Sequence, residues 1–67
     1  MFKELVLQEI REYKTYCSQK NADEGLFMVL GVIRLLTRLE LITSDFMEYA
    51  IDLAFKEHKT LSKRKEN

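Results

Sequence analysis

Cys17 and His58 are the only cysteine and the only histidine of the chain. Together they make up the one thiolate–imidazole couple that the composition offers. Such a couple acts as a nucleophile only when the fold brings the two side chains within hydrogen-bond reach. Cys17 continues an apolar series in the first third of the chain, and His58 stands at the margin of a later one. Packing is therefore the expectation for both, as it is for most buried free cysteines. A tetrahedral zinc site cannot be completed from these two residues alone. The acids fall into two groups, Glu4, Glu9 and Glu12 and then Asp45, Glu48 and Asp52. Di-metal helical bundles build their centres from inward Glu-x-x-His pairs, a spacing that does not occur here. Asp45 and Glu48 have a simpler role at a helix N-terminus, and Asp52 stands one helical turn before Lys56, at ion-pair spacing. There is no glycine-rich phosphate loop. The expectation is a non-enzymatic protein with no catalytic residues, cofactor or metal.

The remaining chemistry is positive charge. Lys56, Lys59, Lys63, Arg64 and Lys65 gather towards the end of the chain, and Arg34 with Arg38 form a second pair. Phosphate contacts from the first cluster would give weak, salt-sensitive nucleic-acid binding. Against specific duplex reading, the last helix would present Asp45, Glu48 and Asp52 where a recognition helix presents its base-reading residues. The net charge is zero, so no global field favours nucleic acid or membrane. Nucleic-acid binding through the five basic residues stands as the alternative reading.

Helices must position these groups. The sequence has no proline and only two glycines, Gly25 and Gly31, in a background of good helix formers. Phe2, Val6, Ile10, Tyr13 and Cys17 recur at spacings of four and three, which predicts a first amphipathic helix from about Phe2 to Gln19. Asn21 followed by Glu24 has capping-box spacing and predicts a second helix starting near Ala22. That helix carries two apolar stripes. One is Met28, Val32, Leu35, Leu39 and Ile42; the other is Leu26, Val29, Ile33 and Leu36. Thr43, Ser44 and Asp45 are N-cap types, and a third helix follows from about Ser44 to Leu61. Its broad face is Phe46, Met47, Ala50, Ile51, Leu53, Ala54 and Leu61, with Tyr49, Phe55 and His58 at the margins. Residues 62–67 read as a basic, frayed tail. The connections are short, so consecutive helices should be antiparallel neighbours.

The segment Leu36 to Tyr49, Leu-Thr-Arg-Leu-Glu-Leu-Ile-Thr-Ser-Asp-Phe-Met-Glu-Tyr, resembles the helix–turn–helix hairpin of short bacterial C-terminal (SHOCT-type) oligomerisation modules. Those carry a Gly-Leu-Ile-Thr turn followed by an acidic and an aromatic residue. Glu40 stands where their glycine is usual. The resemblance implies a tight helical hairpin at this point, and no function is carried over from it.

Sixty-seven residues make one small all-α domain, here residues 1–61, and domains of this size are marginally stable alone. One cysteine forbids an internal disulfide. Lys3, Glu4, Glu9 and Arg11 break the first apolar stretch, so no secretory signal is read there. The run from Leu26 to Ile33 falls well short of the roughly 20 residues that span a bilayer. A cytoplasmic protein without a membrane partner is expected, in keeping with an unpaired Cys17. The second helix has more apolar circumference than the first and third helices are expected to cover, even with one stripe taken by each. Phe27 and Leu30 lie outside both stripes. The reading is therefore a three-helix domain completed by homodimerisation, with Leu26, Phe27, Val29, Leu30, Ile33, Arg34, Tyr49 and Phe55 as its protein interface. Such a chain would be a bacterial or phage regulator, inhibitor or adaptor that docks an apolar helical face on a protein partner. A purely structural oligomerisation module is a further alternative.

Overall fold

In the computed structural model, which describes residues 1–63, three helices follow in the order α1 (Phe2–Tyr16), α2 (Ala22–Arg38) and α3 (Ser44–Lys63). Each packs against the other two, with α2 and α3 sharing the most extensive contact. The molecule measures 42 × 16 × 16 Å. No strand occurs among the described residues. The side-chain links give the directions. Lys14 pairs with Glu57, Asp23 meets His58, and the Gln19 side-chain amide donates to the Ser62 carbonyl. At the opposite end the Lys3 ammonium lies 5.5 Å from the centre of the Phe46 ring. Thus α1 and α3 run parallel, and α2 runs antiparallel to both.

The first helix stops three residues earlier than its apolar spacing predicts. Cys17 is extended, and the Asn21 side chain explains the stop. Its Oδ1 accepts hydrogen bonds from the Ser18 backbone N–H (2.7 Å) and hydroxyl (3.3 Å). Asn21 thus closes the loop behind it rather than capping α2 with Glu24, and no side-chain cap forms there. At the next turn the Thr43 hydroxyl oxygen accepts the Phe46 N–H (3.1 Å), so Thr43 is the cap of α3.

The end of α2 is a Schellman closure. The Leu41 N–H donates to the Leu36 carbonyl and the Glu40 N–H to the Thr37 carbonyl. That geometry requires a left-handed residue, and Glu40 takes it with φ 60°. The tight hairpin expected over Leu36–Tyr49 does form, with glutamate held where a residue without Cβ fits best.

The core collects Val6, Ile10 and Tyr13 from α1 and Ala22, Leu26, Val29, Ile33 and Leu36 from α2. Ile42 joins from the turn, and Ala50, Ala54 and Leu61 come from α3. Ala50 and Ala54, one helical turn apart, let the other two helices close down on α3. Leu61 is fully buried, and α3 continues through Lys63. Ser62 and Lys63 are thus helical, whereas residues 64–67 of the expected tail, Arg64 and Lys65 among them, lie outside the described residues.

At Gly25 the Tyr13 ring and the Cys17 thiol come close to the backbone of α2. A Cβ at this position would lie 2.6 Å from Cys17 Sγ and 2.7 Å from the Tyr13 ring. That ring cannot swing aside, because its hydroxyl donates to the Ala22 carbonyl (2.8 Å) in a buried bond. Burial, with smaller contributions from Cys17, Asp23 and Glu57, pushes the Tyr13 phenol up from 10.0 to about 12. A raised phenol pKa makes the neutral form the folded form. Its stabilising contribution is therefore complete below pH 10 and is lost as pH rises towards 12.

Gly25→Ala is expected to destabilise the fold by about 1–3 kcal/mol through overpacking. Glu40→Gly is expected to stabilise it by about 0.5–1 kcal/mol through relief of the left-handed backbone. Denaturant melts of both variants check the opposite signs. The stability of the native chain should begin to fall above pH 10, and Tyr13→Phe should flatten that alkaline limb while lowering stability at neutral pH.

Candidate functional site

The residues with the most reactive chemistry are not brought together. His58 Nε2 lies 2.6 Å from Asp23 Oδ1, which ties α3 to the start of α2. Cys17 packs against the core beside Tyr13 and Gly25. No hydrogen bond joins Cys17 to His58. No cluster of three or more His, Cys, Asp or Glu side chains with metal-binding geometry occurs among the described residues. Asp45, Glu48 and Asp52 are all exposed on α3. Asp52 and Lys56 form no ion pair, contrary to the spacing expectation. Glu57 has a buried carboxylate oxygen. Its Oε2 takes no hydrogen bond and is balanced by Lys14 Nζ at 3.7 Å. This is a structural bridge between α1 and α3.

Lys56, Lys59 and Lys63 are exposed along the second half of α3. Asp45 and Glu48 stand at its start, so charge runs along the helix in the sense that complements its dipole. Lys63, in the last turn, and Asp45, in the first, are the groups placed to benefit from it.

The feature without an internal explanation is apolar. Leu26, Val29 and Ile33, assigned to an interface from the sequence, are buried in the chain's own core and are unavailable to a partner. Their stripe is the one that α1 and α3 share. In a triangular bundle both neighbours of a helix lie on the same side of it, so little more than a single stripe of roughly 100° is covered. The other stripe of α2 is open at Met28, Leu35 and Leu39, whereas its Val32 is half-buried and its Ile42 joins the core; Phe27, outside both stripes, is open as well. Phe27 is 72% exposed, Met28 74%, Leu35 55% and Leu39 58%. The expectation that α1 and α3 would each cover one stripe is corrected by this geometry. Phe27 and Arg34 keep the exposure predicted for them, and Leu30 is half-buried.

Two grooves flank this open face. One, of about 420 Å³, lies between α2 and α3 and is lined by Leu30, Arg34, Thr37, Arg38, Met47, Ile51 and Phe55. The other, of about 350 Å³, lies between α1 and α2, and Tyr16, Met28, Gly25 and Val29 are among the residues that line it. Tyr49 and Phe55 are exposed on α3, so both of these expected interface residues are accessible. Leu5 and Tyr16 on α1 are exposed as well. Met28, Leu35 and Leu39 belong to the surface but were missed in the sequence reading, which placed their stripe under a neighbouring helix. The signal that could have found them is the row of small residues Ala22, Gly25 and Val29, which marks the side of α2 where a helix comes close.

No helix among the described residues is long and apolar enough to cross a membrane. Replacing Met28 and Leu39 together by glutamine should leave the melting temperature within a few degrees, whereas Ile33→Ala should cost about 2–5 kcal/mol. Thermal melts of the two variants separate open stripe from core. Comparison with known proteins leaves the fold and this surface as the grounds for function, since no family model, curated protein or solved structure matches the chain.

Proposed function

We propose that the chain is a non-enzymatic protein-interaction module that works as a homodimer and presents an apolar helical face to a protein partner. A cytoplasmic bacterial or phage regulator, inhibitor or adaptor is the setting that fits a domain of this size with no assembled chemistry. The observation that carries this reading is the open stripe of α2. Large side chains stay in water although the core beneath them is already closed by α1 and α3. Contiguous exposed apolar surface is unfavourable for a lone soluble chain and is characteristic of contact sites. Arg34 and Arg38, which line one groove with Phe55, add side-chain types that dominate binding energy at protein interfaces.

Phe27→Asp combined with Leu35→Asp tests the reading. Helical content by circular dichroism should stay unchanged, because neither side chain belongs to the core. The mass in solution at high concentration should fall to that of a single chain. Unfolding of the double variant would place these residues in the monomer core and overturn the reading. Tight duplex binding with a steep salt slope, abolished by reversing Lys56, Lys59 and Lys63, would put nucleic-acid binding in its place.

A further inference from the structure

We propose that α2 pairs with the α2 of a second copy of this chain, antiparallel, with the two Gly31 residues at the crossing. The inference rests on the interaction-module reading and names the partner and the geometry for it.

Gly31 is the first observation. It is exposed in the middle of α2, and a methyl group there would meet nothing within 4 Å in its own chain. Glycine inside a helix is unfavourable relative to alanine, and here nothing in the monomer offsets that cost. Gly25, by contrast, is required by Tyr13 and Cys17. A second helix lying across Gly31 supplies the missing reason, because a residue without Cβ lets two helix axes approach to the short end of the usual 8–10 Å range.

Charge is the second. At about 100° per residue, Glu24, Phe27, Gly31, Leu35 and Arg38 fall within one sector roughly 80° wide. All five are exposed. Glu24 precedes Gly31 by as many residues as Arg38 follows it. A two-fold axis at Gly31 therefore sets Glu24 of each copy beside Arg38 of the other. Parallel pairing would instead oppose like charges. Neither Glu24 nor Arg38 makes an ion pair with another described residue, so both charges are free for this contact.

The apolar side chains obey the same symmetry. Met28 and Arg34 border the sector on opposite sides. Antiparallel crossing brings Met28 onto Leu35 of the second copy, and Phe27 onto its Arg34 in a cation–π arrangement. Each contact occurs twice, as an isologous interface requires. One helix from each copy makes a small interface, so assembly is concentration-dependent.

Sedimentation equilibrium over a dilution series tests the pairing, with circular dichroism confirming that every variant is folded. The native chain should pass from one copy to two with rising concentration. Gly31→Ala should weaken association on the order of tenfold while raising the melting temperature of the dilute chain. Glu24→Arg and Arg38→Glu should each weaken association on the order of fivefold, and the double reversal should restore it. A two-copy particle indifferent to Gly31→Ala and to both charge reversals would overturn the antiparallel α2 pairing and leave the interaction-module reading standing. A native chain that remains single at the highest concentration would overturn the pairing and the homodimer together.

Discussion

The missing side chain at Gly25 lets the Tyr13 ring and the Cys17 thiol rest directly on the backbone of α2. The Tyr13 hydroxyl then closes on the Ala22 carbonyl, so the contact is held at both ends of the phenol. Because the loop between α1 and α2 is short, this corner decides on which side of α2 the first helix lies. That side is the row Ala22, Gly25 and Val29. Once α1 is there and α3 packs with it over the core residues Leu26, Ile33 and Leu36, no other helix among the described residues covers the opposite side. The exposure of Met28, Leu35 and Leu39 is thus a consequence of where one glycine and one tyrosine meet.

The two ends of the bundle are secured differently. At the end that holds the α1–α2 loop, Lys14 with Glu57, Asp23 with His58, and Gln19 with Ser62 tie all three helices together through polar contacts. Most of these groups are exposed, so each contributes modestly and their joint effect is to set register. At the other end the hairpin between α2 and α3 relies on backbone geometry. The Schellman bonds of Glu40 and Leu41 and the Thr43 cap satisfy the groups left over by the two helices. The left-handed Glu40 is the local cost of making that turn so tight.

Reactive groups are distributed rather than assembled. The thiol is packed beside a tyrosine, the imidazole is held by an aspartate, and the buried carboxylate oxygen is balanced by a lysine. The thiol, the imidazole and the Glu57 carboxylate each sit at a contact between helices. The surface that stands out is apolar, rimmed by arginine, and interrupted by one glycine with open space around it.

Much of the architecture was legible in the residues alone. Proline-free composition and the four-and-three spacing of Val6, Ile10 and Tyr13 and of Leu26, Val29, Ile33 and Leu36 report which faces are apolar, and periodicity depends only on local helix geometry. The capping logic of Asn21 with Glu24 and of Thr43, Ser44 and Asp45 located the starts of α2 and α3. It could not report that Asn21 would turn back to Ser18, because that choice depends on where α1 ends in space. Nor could periodicity report which of two equally apolar stripes of α2 would be covered. Hydrophobic spacing describes one helix at a time, whereas cover depends on the directions from which neighbours arrive. Those directions were decided in three dimensions by the Tyr13–Gly25 contact and by the small face of Ala50 and Ala54, through steric fit that no single stretch of sequence contains.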